Sequence, residues 1–113
     1  MKDDRLYLIH IGECIVRVES YTRGMTKEAF LASSLVQDAV IRNLQTLAES
    51  TQRLSAHVKE SQPRIDWRKI AGFRNILVHD YLGVDVEKVW NIVWDDLPVL
   101  KNAVSEMLGP SGS

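Results

Sequence analysis

An arginine and a histidine stand five residues apart in "RNILVHDY", residues 74 to 81, with Asn75 directly after the arginine and Tyr81 two places beyond the histidine. Histidine exchanges protons near neutral pH, and a guanidinium offers planar, paired donors to a phosphate. Together Arg74 and His79 have the chemistry to cleave RNA without a metal. The imidazole would act as general base or acid while a ribose 2′-hydroxyl attacks the neighbouring phosphorus. The guanidinium would stabilise charge on the pentacoordinate state. Asn75, about one turn before His79, could hold the imidazole or a phosphate oxygen. Spacing alone is not specific, because a solvated arginine and a hydrogen-bonded histidine at this offset also suit an ordinary helix.

A helix advances about 100° per residue, which places Ile70, Phe73, Leu77 and Tyr81 in one sector, the expected core face. Arg68, Gly72, Asn75 and His79 share a second sector on the opposite side, a polar stripe interrupted by a glycine. Glycine inside a helix costs about 1 kcal/mol relative to alanine and is tolerated where another backbone or a ligand comes close, so this stripe is expected to be a contact surface. Arg74 lies about 140° round the helix from His79. The two meet at one target if the arginine curls round, if the helix distorts near Asn75, or if one of them comes from a second chain across a twofold axis.

Helices must hold this stretch, because the apolar spacing is helical throughout. Leu8, Ile11, Ile15 and Val18 mark a first helix that stops at "RGM", residues 23 to 25. Thr26 can cap a long second helix whose face of Phe30, Val36, Val40, Leu44 and Leu47 carries through to about residue 58. Pro63 breaks the pattern, Asp66 can cap the third helix, and Gly83 is a plausible stop for it. Val86, Val89, Trp90, Val93, Leu97, Leu100 and Val104 make a fourth stripe, with a kink or a restart at Asp96 expected from Pro98. The expectation is an all-α, up-down four-helix bundle.

Composition narrows the function. The chain has 113 residues, enough for one domain and too few for two, which sets the expected domain at residues 1–108 with 109–113 a small, polar tail. Fourteen basic residues against fifteen acidic give a net charge of −1, so any contact with nucleic acid must be local. A single cysteine, Cys14, excludes an intrachain disulfide and a cysteine-based metal cage, and suits a reducing cytoplasm. No window has the apolar run of a signal peptide or a membrane span, which again predicts a cytoplasmic protein. No metal and no cofactor is expected.

The stretch "WRKIAGFRNILVHDYLGVD", residues 67 to 85, resembles the HepT-like branch of the HEPN superfamily, whose motif runs arginine, a polar residue, three more residues, histidine, and a tyrosine two further on. "QDAVIRNL" at 37 to 44 and "VWNIV" with "DLP" at 89 to 98 also look like this family, so the likeness covers nearly the whole chain. The resemblance implies a helical homodimer that serves as the ribonuclease toxin of a toxin–antitoxin pair, with a minimal nucleotidyltransferase of the MntA type as antitoxin. It implies that Arg74 and His79 are catalytic in a cleft where two chains meet, and that Tyr81 receives AMP from the antitoxin. Added charge and bulk beside a site for RNA phosphates would both repel and block substrate.

The competing reading is a noncatalytic helical adaptor that binds a nucleotidyltransferase or a nucleotide through Tyr81 and the polar stripe. A purely structural bundle is the third. Asp38 sits in an apolar pattern where a carboxylate needs a partner, and is expected to support Arg74 from behind. His10 and His57 lack an arginine at a matching offset, Cys14 reads as a core residue, and Trp90 and Trp94 as packing for the core or a dimer seam.

Overall fold

The computed structural model describes residues 2–78 and 85–109. Leu8, Ile11, Ile15 and Val18 form the buried face of α1, Lys2–Thr22. The expected second helix is three pieces instead: α2, Lys27–Leu31; α3, Ser34–Gln52; and α4, Ala56–Glu60. Serine hydroxyls make the breaks. Ser33 accepts from the Val36 N–H and Ser55 from the Val58 N–H, each at 3.2 Å, so each satisfies an amide at a new helix start. Gln37 Nε2 donates to the carbonyls of Phe30 and Leu31 at 2.9 and 3.0 Å, closing the end of α2 against α3. The apolar period runs across the breaks because Phe30 and Leu54 are buried in the same core as α3.

Asp66 takes its expected place before α5, Trp67–Val78, where its Oδ1 accepts from the Lys69 N–H at 3.0 Å. The fourth stripe becomes α6, Val86–Asn91, a π turn at Ile92–Asp96, and α7, Leu97–Leu108. Pro98 has no N–H for the Trp94 carbonyl, and the Leu97 N–H reaches back to Ile92 instead. The helix restarts after Asp96, with Leu97, Leu100 and Val104 still facing the core. Gly109, at φ 79°, ends α7 in a conformation that L side chains rarely adopt. Gly83, His79 and Tyr81, and residues 110–113 of the expected tail, lie outside the described residues.

α1 packs on α3, α3 on α5 and α1 on α7. α1 runs antiparallel to both α3 and α7. The start of α1 meets the end of α3 where Asp4 contacts Ser55, and the end of α1 meets the start of α7 where Lys101 Nζ lies 2.9 Å from Glu19 Oε1. This is the expected all-α, up-down bundle, with no strand among the described residues.

Asp4 ties two helix starts together. Its carboxylate is buried, 4% exposed, and accepts from the Ser55 N–H and the Ser55 hydroxyl, both at 2.8 Å. Those bonds favour the ionised form and hold the carboxyl below its ordinary value of 3.8, against an opposing effect of desolvation. A carboxyl depressed in the folded state stabilises above its unfolded pKa, and that stability is lost as pH falls through the folded value. Asp4→Asn should therefore lower the urea midpoint at pH 7, and the gap from the parent chain should narrow steadily below about pH 4. A gap that stayed constant with pH would remove the carboxylate's charge from this role.

Candidate functional site

The site grows out of the buried face of α5. Ile70 and Phe73 are 5% and 1% exposed, and they fix the helix rotation. One residue on, about 100° further round, Arg74 emerges on the flank that lies against α3. Its side chain is half exposed, and its Nε stands 3.9 Å from Glu49 Oε2 on α3. That separation is too long for a hydrogen bond, and an exposed pair at this distance contributes little stability. Among the described residues, nothing holds Arg74 more tightly than this.

On α3, Val40, Leu44, Leu47 and Ala48 are fully buried. The adjoining strip of the helix carries Arg42, Gln45, Thr46 and Glu49, which with Arg74 line an open cleft of about 320 Å³ between α3 and α5. The Thr46 hydroxyl donates to the Arg42 carbonyl at 3.1 Å, so its proton is turned back onto the helix. Sequence reading missed these four as site residues. Their i, i+3, i+4, i+7 spacing is the signal that could have found them.

The other expected site residues divide. Arg68 is exposed and Gly72 half-buried on α5, and a Cβ placed on Gly72 would meet nothing within 4 Å. Asn75 belongs to α5 by its backbone, while His79 and Tyr81 lie outside the described residues. Asp38 needs correction. It is exposed, so burial gives it no need of a partner, and it precedes Glu49 by eleven residues, roughly 16 Å along the helix axis. Among the described residues, the carboxylate beside Arg74 is Glu49.

Elsewhere, Cys14 is fully buried and its thiol is pushed up by that burial, which leaves it a poor nucleophile. His57 is exposed on α4, and His10 faces Glu13 on α1 with 3.9 Å between Nδ1 and Oε1. Trp90 packs its ring 5.3 Å from Phe30 and 5.4 Å from the half-exposed Trp94. Among the described residues, no three His, Cys, Asp or Glu side chains come together as a metal site, and no helix is long and apolar enough to cross a membrane.

A family model described as ribonuclease HepT-like matches residues 11–107. A Methanocaldococcus jannaschii protein named as a gamma-glutamylcyclotransferase and candidate RNase is 36% identical over 95% of this chain, which spans only 48% of that relative's length. "Probable ribonuclease HepT" of Thermococcus cleftensis is 38% identical over 89% of this chain and 92% of its own. A candidate RNase of Caldanaerobacter subterraneus subsp. tengcongensis is 32% identical, with 96% of both chains covered. No solved structure is a significant match.

Packing and chemistry are separable at neighbouring positions of α5. Phe73→Ala should cost about 3–5 kcal/mol of unfolding free energy, as for other aromatic truncations in a closed core. Arg74→Gln should cost less than about 1 kcal/mol, since its ion pair is long and solvated. Urea denaturation of both variants checks this, and an Arg74→Gln loss as large as that of Phe73→Ala would make the arginine structural.

Proposed function

Because the chain belongs to the ribonuclease HepT-like family, we propose that it is a metal-independent endoribonuclease toxin in which Arg74 and His79 are the catalytic pair. The observation that carries this reading is the state of Arg74: half exposed on a cleft wall, where among the described residues a 3.9 Å contact to Glu49 is the one ion pair that competes for its donors. A guanidinium so placed can turn to a phosphate with little lost from the fold.

In the proposed reaction, His79 takes the proton of a ribose 2′-hydroxyl as the 2′-oxygen bonds to the adjacent phosphorus. The bond from phosphorus to the 5′-oxygen breaks, the leaving oxygen takes a proton from water, and His79 gives its own proton back to the solvent. The products are a 2′,3′-cyclic phosphate and a 5′-hydroxyl. Arg74 neutralises charge on the non-bridging oxygens as the phosphorus becomes pentacoordinate, a service that matters most in the transition state. Asn75 would steady the imidazole or a phosphate oxygen.

The proposed setting is a homodimer with the cleft at its seam, controlled by an MntA-type nucleotidyltransferase antitoxin that transfers AMP to Tyr81. Gly72 supports the seam. Among the described residues nothing lies within 4 Å of the place a side chain would take there, and a larger residue would gain about 1 kcal/mol of helix propensity, so these residues give no reason for glycine. A closely approaching second chain does.

Cleavage of end-labelled RNA by the unmodified protein in excess EDTA tests the chemistry. The parent chain should leave 2′,3′-cyclic ends, and His79→Ala should lower the rate by about 10²–10⁴-fold with the fold intact. RNA left whole by a protein with unmodified Tyr81 would favour the nucleotidyltransferase-binding adaptor. For the seam, Gly72→Leu should keep or raise the thermal midpoint while sedimentation shows weaker dimerisation. A dimer as tight as the parent's would place the interface elsewhere.

A further inference from the structure

Arg74 is one of two guanidiniums on its cleft, and the second has no role in the reaction as described. We propose that Arg42 binds the RNA backbone at a phosphate next to the one that is cut, and so sets the path of the strand across α3. This rests on the ribonuclease reading of Arg74.

The charges along the cleft are ordered. Arg42 and Glu49 stand at opposite ends of the α3 strip, seven residues and about 10 Å apart along the axis, with Gln45 and Thr46 between them. Glu49 faces Arg74. Arg42 is exposed and has no charged partner among the described residues. Among the described residues that line it, two guanidiniums against one carboxylate leave the cleft locally positive on a chain whose net charge is −1. Glu49 repels a phosphate and Arg42 attracts one, so a strand held at Arg74 is drawn toward Arg42, and the exposed carboxylate of Asp38, one turn before Arg42, bounds that path. Such an asymmetric charge pattern tracks a single-stranded backbone without reading its bases. A neutral amide at Gln45 lies under that path, with donors and an acceptor for a ribose or base edge.

The test measures binding of a short single-stranded RNA to the His79→Ala protein, which would hold substrate without cutting it, across a range of salt concentrations. Arg42→Gln in that background should weaken binding about tenfold at low salt and reduce the slope of log K against log salt by about 0.7, the loss of one phosphate contact. Arg42→Lys should keep the slope. Glu49→Gln should tighten binding. In the cleaving protein, Arg42→Gln should raise KM and leave kcat within a few fold. An unchanged slope in Arg42→Gln, with RNA still bound, overturns the Arg42 subsite and leaves the Arg74 and His79 mechanism standing. RNA that binds with the predicted slope change to a protein that never cuts it keeps the subsite and removes the nuclease. No RNA binding at any salt overturns both.

Discussion

Burial on α3 governs the rest of the structure. This one helix packs against α1 and α5, and Val40, Leu44, Leu47 and Ala48 exclude water completely along the faces it gives them. A helix used on two sides keeps only a narrow edge for polar residues. On α3 part of that edge is the strip from Arg42 to Glu49, and it borders the groove where α5 lies. The rotation of α5, fixed by Ile70 and Phe73, then delivers Arg74 to the same border. Core packing and cleft electrostatics are thus set by the same two helices, and the chemistry rests on apolar contacts that take no part in it.

Much of this was legible in the residues. Period and length gave the four bundle positions, and the 140° between Arg74 and His79 already set the arginine apart from the stripe of Arg68, Gly72 and Asn75. The continuity of the second helix was misread because apolar spacing is blind to capping. Ser33 and Ser55 stop and restart the backbone while Phe30 and Leu54 keep the hydrophobic rhythm. Asp38 was misread for a related reason. Apolar neighbours in sequence are not neighbours on a helix, and this carboxylate is on an outward side.

Partnership between elements was the part not written locally. Glu49 and Arg74 are far apart in the chain, and nothing in either segment selects the other. The Asp4 clasp on Ser55 has the same character, joining residues 51 positions apart through a hydroxyl that also caps α4. In both cases the residue types announced a capacity, to accept or to donate, and the antiparallel packing of the bundle chose the partner.

The π turn at Ile92–Asp96 bears on how this fold tolerates change over time. A π turn is a single extra residue absorbed into a helix, made comfortable here by a proline that has no proton to give the Trp94 carbonyl. Losing one residue from that turn together with the proline would restore an ordinary ladder and return Leu97, Leu100 and Val104 to the same side of the bundle. That deletion, made with the loss of the proline, is therefore a move between equivalent cores. A chain shortened in that way would keep its cleft between α3 and α5 in register.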